Sequence, residues 1–145
     1  SDIQEQSIMA SPNYDVVIID DEVSVTDIFQ QYMLYKYKDW RFMTFNNSQM
    51  AHTAILNGQL DAKVWVIDMM MPNKNGADIA EAVRETQGSD PVVLAYTALE
   101  KRTLETQDAY RHGMKHFNHV INKREDFTSI LSLIEVWVAK NTHSD

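Results

Sequence analysis

Residues 64–76 read VWVIDMMMPNKNG, and they give the clearest indication of the fold. It opens with four apolar, mostly β-branched residues, which predict a strand that is covered on both faces. Asp68 follows directly at the carboxyl end of that strand, and Pro72 and Gly76 indicate a loop before the next helix. Trp65 is the one aromatic residue in this aliphatic strand, and we expect it to pack beneath a helix.

Strands and helices alternate along the chain on either side of this stretch. The predicted strands are residues 16–19, 42–45, 64–67, 92–95 and 117–121. Apolar residues at helical spacing predict helices around 25–33, 51–55, 79–83 and 130–137. A further helix, the fourth along the chain, is predicted to include Leu104 and Tyr110 and to end at Gly113. Five βα units with right-handed crossovers predict an α/β domain whose five-stranded parallel sheet is doubly wound. We expect a leader at 1–14, the domain at 15–141 and a short tail at 142–145.

Composition limits the kind of protein that this chain can be. It has 145 residues, enough for one domain, and 44% of them are hydrophobic, which argues against disorder. The sequence contains no cysteine, which excludes disulfides and thiolate metal sites and fits a reducing cytoplasm. Its net charge of −8 disfavours direct binding to nucleic acid. Its apolar runs are far shorter than the roughly 20 residues that span a bilayer, so we expect a cytoplasmic domain without membrane contact.

Polar residues follow four of the predicted strands at their carboxyl ends, where open α/β sheets bind ligands. Asp20 and Asp21 follow the first strand, Asp68 follows the third, and Thr97 and Lys123 follow the fourth and fifth. Each residue alone can be explained as a helix cap, a loop residue or a surface lysine. If the first, third, fourth and fifth strands lie side by side, these residues converge on one edge and need another explanation, because two carboxylates about 4 Å apart repel by roughly 4 kcal/mol at an effective dielectric of 20. Mg²⁺ relieves such repulsion, and a carboxylate cluster with a lysine and a hydroxyl suits phosphoryl transfer onto a carboxylate.

The chain resembles the receiver domain of two-component response regulators over residues 14–140. The resemblance rests on VVIIDDE at 16–22, VWVIDMMMPNKNG at 64–76, LAYTA at 94–98 and Lys123. In that family the phosphoacceptor aspartate is followed four residues later by proline and eight residues later by glycine, as Asp68 is by Pro72 and Gly76. The resemblance implies a flavodoxin-like fold, similar to the chemotaxis receivers, with strand order 2-1-3-4-5.

The resemblance also implies a role for each site residue. Asp68 would be the phosphoacceptor, Mg²⁺ would be held by Asp20, Asp21, Asp68 and the backbone carbonyl of Met70, and the phosphoryl group would be bound by Thr97 and Lys123. The donor would be a sensor histidine kinase or a histidine phosphotransfer protein. The domain would be a switch for a downstream effector, and would catalyse only its own phosphoryl transfer and slow dephosphorylation. Phosphorylation would change the surface of the fourth helix, fifth strand and fifth helix, and homodimers through the last helices are common in the family.

The sequence departs from the family pattern near Lys123. Arg124 follows this lysine where the family usually has a proline after a cis bond, so we expect a trans bond here. Val120 stands at the position of the family's switch aromatic, three residues before the lysine, and Phe117 could substitute if the register slipped. Lys115 is a second candidate for the lysine, although it comes early for the end of the fifth strand.

Two further positions resemble those that govern the access of water to the phosphoryl group in the family. They hold Met70, two residues after Asp68, and Leu99, two residues after Thr97. Neither side chain can orient a water molecule, so the resemblance implies a relatively long-lived aspartyl phosphate.

Two alternatives stay open at the level of sequence. Val120 and Arg124 motivate a phosphorylation-independent receiver-like protein-interaction module. A Mg²⁺-dependent phosphatase would need an acid where Met70 stands, which disfavours it. His112 and His116 are spaced for a helical metal site, but Gly113 between them favours solvated histidines in a loop.

Overall fold

Five apolar segments form the strands of one parallel sheet. The computed structural model describes residues 12–142. The strands are β1 (Tyr14–Ile19), β2 (Phe42–Phe45), β3 (Ala62–Ile67), β4 (Val92–Thr97) and β5 (His119–Asn122). They lie in the order β2-β1-β3-β4-β5, which confirms the predicted topology. The three central strands are buried almost throughout, as their continuous apolar runs predict, and the edge strands β2 and β5 are partly exposed.

Helices cover both faces of the sheet. They are α1 (Val23–Lys36), α2 (Ser48–Leu56), α3 (Gly76–Gln87), α4 (Lys101–Thr106), α5 (Asp108–Arg111) and α6 (Phe127–Thr142), with a 3-10 turn at Met114–His116. One core joins α1 and α6 to one face of the sheet and includes Phe29 and Ile134. The other core joins α2 and α3 to the opposite face and includes Ile55 and Ile79. Trp65 is fully buried in this second core, which confirms its predicted packing beneath a helix.

The fourth predicted helix is wrong in detail, because the chain forms two short helices there. Gln107 between them is extended, with φ −82° and ψ 133°. Its N–H closes α4 on the Thr103 carbonyl, and its own carbonyl begins α5 by accepting from Tyr110 and Arg111. Gly113 lies two residues after the end of α5. The position requires glycine because a Cβ there would lie 2.4 Å from the Cβ of Ala77.

The ends of four strands also differ from the prediction, since β1 and β3 begin two residues early, β4 ends two residues late, and both ends of β5 shift. The fifth strand begins at His119 rather than at 117, because the Phe117 N–H bonds to the Met114 carbonyl and closes the 3-10 turn. The first strand begins at Tyr14, one residue before the predicted start of the domain. Most of the predicted leader (1–11) and of the tail (143–145) lies outside the described residues. Between residues 12 and 142, no helix is long and apolar enough to cross a membrane.

Candidate functional site

Asp20 is placed at the sheet edge by backbone bonds from the neighbouring strand and loop. It follows β1, and its N–H donates to the Phe45 carbonyl at 3.0 Å. The Asn46 amide donates to the Asp20 carbonyl at 2.9 Å, and the Glu22 N–H donates to Asp20 Oδ1 at 2.9 Å. These contacts leave Asp20 only 2% exposed, whereas the adjacent Asp21 is partly exposed. The two carboxylates that follow β1 therefore differ in their exposure to water.

Asp68 occupies the equivalent place after β3. Its N–H donates to the Ile19 carbonyl at 2.9 Å, which sets it beside the end of β1. The Met69 N–H donates to Asp68 Oδ1 at 2.9 Å, and the carboxylate is buried. Gly76 packs against this turn so closely that a Cβ there would lie 2.5 Å from the Asp68 carbonyl oxygen.

Three carboxylates meet at this edge. One oxygen from each of Asp20, Asp21 and Asp68 lies within 4.8 Å of the others. Burial, together with the charges of Asp20 and Asp21, raises the pKa of Asp68 to about 7, although the charge of Lys123 lowers it. Burial likewise raises the pKa of Asp20. The three carboxylates carry like charges that repel one another, and their oxygens are the ligands that a hard divalent cation such as Mg²⁺ prefers.

Lys123 lies within reach of the same carboxylates. Its Nζ is 2.8 Å from Asp20 Oδ2, 3.6 Å from Asp68 Oδ1 and 3.7 Å from Glu22 Oε1. Burial alone would lower the pKa of Lys123, but the hydrogen bond and charge of Asp20, with the charges of Asp68 and Glu22, raise it above its ordinary value. The ammonium is therefore held in its charged form beside the carboxylates.

Thr97 ends β4 at the same edge of the sheet. Its carbonyl accepts from the Lys123 N–H at 2.8 Å, and its hydroxyl accepts from the Leu99 N–H at 3.1 Å. The Thr97 side chain is 1% exposed overall but lines a cavity of about 290 Å³. Further residues that line this cavity are Asp21, Asp68, Met70, Leu99 and Lys123. The cavity is large enough to hold a phosphoryl group and several waters.

The residues at which the sequence departs from the family pattern lie in and around β5. The register of β4 and β5 pairs Thr97 with Asn122 and has not slipped. Phe117 lies before β5, where it is half-buried and packs against the core. Val120 is 45% exposed on the edge strand. The bond between Lys123 and Arg124 is trans, as expected, because no cis bond occurs among residues 12–142. Arg124 pairs with Glu100 in the loop after β4.

The alternative candidates lie elsewhere. Lys115, the second candidate for the lysine, is exposed on the 3-10 turn before β5. Lys123 directly follows β5 and therefore lies at the carboxyl end of that strand. Among the described residues, the acidic cluster is the one group of three or more side chains with metal-binding potential, and it does not include His112 or His116.

Tyr96 is a site neighbour that the sequence analysis did not identify. Its ring centroid lies 5.8 Å from Lys123 Nζ. Its position directly before Thr97 places Tyr96 near the site in the sequence, but only the strand register shows that Tyr96 faces Lys123.

The comparisons with known proteins agree on one family. The sequence model described as the response regulator receiver domain matches residues 16–135. The response regulator SaeR of Staphylococcus aureus strain USA300 is 30% identical over 78 residues, which are 54% of this chain and 32% of SaeR. The matched segment thus spans about a third of that relative's length.

Solved structures share the fold. A CheY-like receiver domain protein from Methanospirillum hungatei JF-1 has a TM-score of 0.71 at 14% identity, covering 91% of this chain and 98% of that one. The response regulator TrrA from Thermotoga maritima, solved in complex with Mg(2+)-BeF, has a TM-score of 0.67 at 14% identity, covering 86% and 98%. At this identity the likeness shows the fold alone.

Proposed function

The chain belongs to the response regulator receiver family, and from this membership we propose that it accepts a phosphoryl group on Asp68 and acts as a signalling switch. The observation that carries the proposal is the position of Lys123, whose Nζ lies 3.6 Å from the buried Asp68 carboxylate. A phosphoryl group placed in the adjoining cavity would meet a cation and a hydroxyl on its oxygens.

The residues fit a bound Mg²⁺. Asp20, Asp21, Asp68 and the backbone carbonyl of Met70 would hold the ion, which would neutralise charge on the phosphoryl oxygens and on the carboxylates. The neighbour TrrA, with its Mg(2+)-BeF, is consistent with this cofactor. The three carboxylates of this chain need such a counter-charge, since Lys123 supplies only one positive charge to them.

The transfer itself needs little from the protein beyond positioning and charge. An oxygen of the Asp68 carboxylate forms the bond to phosphorus as the bond to the donor's imidazole nitrogen breaks. Lys123 and the Thr97 hydroxyl stabilise the transferred oxygens, and Thr97 then gives up its contact with the Leu99 N–H to reach them. Met70 and Leu99 border the cavity with side chains that cannot orient water, which favours slow loss of the phosphoryl group.

We further propose that phosphorylation shifts the population of two packings around α4, β5 and α6. The phosphoryl charge draws Lys123 and Thr97 toward Asp68. Thr97 accepts from Leu99 in the β4–α4 loop and from Lys123 in the β5–α6 loop, so both loops follow this movement. The donor would be a sensor histidine kinase or a histidine phosphotransfer protein in the cytoplasm. The output would be a downstream effector protein or domain, and a homodimer through this surface is one form of that output.

Intact-protein mass spectrometry tests the acceptor chemistry. After incubation with acetyl phosphate, we expect the mass of one phosphoryl group to be added when Mg²⁺ is present, and no addition after chelation or in Asp68→Asn. Addition that is independent of Mg²⁺ would contradict the proposed site.

Backbone NMR shifts test the switch. Beryllofluoride with Mg²⁺ should change the shifts of α4, β5 and α6 as well as those around Asp68. Changes confined to the site would instead support a phosphorylation-independent interaction module.

A further inference from the structure

Tyr96 and Lys123 lie on the same face of the sheet, one strand apart. The register pairs Tyr96 with Ile121. Lys123 is two residues beyond Ile121, so side-chain alternation places it diagonally over Tyr96, within reach of a long side chain. The observed distance of 5.8 Å from Lys123 Nζ to the ring centroid falls in the range of a cation–π contact.

The Tyr96 ring is held in place by other aromatic residues. Tyr96 is 6% exposed and meets Phe29 edge-on, with centroids 5.8 Å apart and an interplanar angle of 80°. Phe29 in turn packs against Phe127 of α6 at 4.8 Å. A ring packed in this way has few other orientations, so it offers Lys123 a fixed surface.

Lys123 needs such a surface because its carboxylate partners do not define one position. Asp20, Asp68 and Glu22 lie between 2.8 and 3.7 Å from Nζ. A lysine is a flexible side chain that carries a compact charge, and three acceptors can hold it in several geometries. A ring face attracts the cation without competing for its hydrogen bonds.

We propose that Tyr96 is a positioning residue for Lys123, and that its ring holds the ammonium where it meets a phosphoryl group on Asp68. This inference rests on the proposed phosphoryl transfer, and it adds a residue to the set that the family resemblance supplies. Tyr96 itself touches neither the phosphoryl group nor a metal ion in this account.

A double-mutant cycle tests the proposal. Tyr96→Leu should slow phosphorylation by acetyl phosphate roughly fivefold, the size of a partly desolvated cation–π contact, and Tyr96→Phe should restore most of the rate. In a Lys123→Ala background, Tyr96→Leu should have no further effect. An equal slowing in both backgrounds would overturn the proposal, because Tyr96 would then act only on the core. Tyr14→Leu is the matched control, since Tyr14 is a partly buried tyrosine at the amino end of β1, far from Lys123, and it should leave the rate unchanged.

NMR of the Mg²⁺-free chain gives a readout that does not depend on phosphorylation. The ring current of Tyr96 should move the ε-methylene protons of Lys123 upfield of those of the exposed Lys115. Tyr96→Phe should keep this shift and Tyr96→Leu should abolish it. A shift that survives Tyr96→Leu would overturn the placement of Lys123 on this ring. If the Lys123 protons show the upfield shift in a chain that acetyl phosphate does not phosphorylate, the result would count against the proposed function and leave the positioning contact in place.

Discussion

Lys123 Nζ lies 2.8 Å from Asp20 Oδ2 and 3.6 Å from Asp68 Oδ1, so the lysine is closer to a proposed metal ligand than to the proposed phosphoacceptor. Without a cation, it is the main positive charge against the three carboxylates. Mg²⁺ binding would therefore release Lys123 from Asp20 and make it available to a phosphoryl group on Asp68.

Lys123→Met should destabilise the Mg²⁺-free chain and strengthen its affinity for Mg²⁺. The buried Asp20 would lose its closest cationic partner, at a cost of about 1–3 kcal/mol in free energy of unfolding. Mg²⁺ should restore most of this loss, because the lysine no longer competes for the carboxylates. Thermal melts with and without Mg²⁺ measure both effects. Lys115→Met on the exposed 3-10 turn is the control and should change neither.

Asp68→Asn should stabilise the Mg²⁺-free chain, and more so at about pH 8 than at about pH 5. The pKa of Asp68 is about 7 in the folded chain against an ordinary value of 3.8. Between these values the folded state holds a proton that the unfolded state has lost, so stability falls as the pH rises. The asparagine has no such proton, and its stability should depend less on pH. Denaturant titrations in a chelating buffer measure this, with the exposed Asp126→Asn as the control; parallel pH profiles for wild type and Asp68→Asn would contradict it.

Gly76→Ala and Gly113→Ala form a matched pair, because both place a methyl group in a filled space. Each should cost about 1–3 kcal/mol of stability through overpacking. The methyl group at position 76 would meet the Asp68 carbonyl oxygen at 2.5 Å, whereas the one at position 113 would meet Ala77. Gly76→Ala should therefore also slow phosphorylation of Asp68, while Gly113→Ala should leave the rate close to that of the wild type. Equal phosphorylation rates for the two folded variants would show that the turn at Gly76 does not position Asp68.

Arg84→Lys should destabilise the fold by about 1–3 kcal/mol while leaving phosphorylation of Asp68 unchanged. The Arg84 guanidinium donates to the carbonyls of His116, Gly88 and Pro91 and to Asn118 Oδ1, which ties α3 to the starts of β4 and β5. A lysine cannot reach all four oxygens. Urea unfolding measures the loss, and Arg102→Lys on the exposed face of α4 is the control. Equal stability of both variants would show that the guanidinium network contributes nothing.

The sheet and the positions of the acids could be predicted because they depend on local patterns. Continuous apolar runs identify buried parallel strands, and strand ends of one sheet share an edge. Asp20, Asp68 and Thr97 come close together only if their strands are neighbours, and the expectation that they are came from the resemblance to receiver domains. The lysine at the end of β5 followed from the same rule.

Other features depend on contacts that no local pattern encodes. The break at Gln107 divides a segment that the sequence predicts as one helix, and no Gly or Pro between Leu104 and Tyr110 marks it. The 3-10 turn before β5 depends on a backbone bond from Phe117 to Met114. The contact between Tyr96 and Lys123 depends on the register of β4 and β5, which a sequence of apolar residues does not specify by itself.

Borohydride trapping of the phosphorylated chain shows which carboxylate accepts the phosphoryl group. Reduction converts an aspartyl phosphate to homoserine, so peptide mass spectrometry identifies the carboxylate that carried the phosphoryl group. After incubation with acetyl phosphate and Mg²⁺, we predict homoserine at position 68 and none in the chelated sample. Homoserine at position 20 or 21 in place of 68, or at no position in a folded, Mg²⁺-bound chain, would contradict the account.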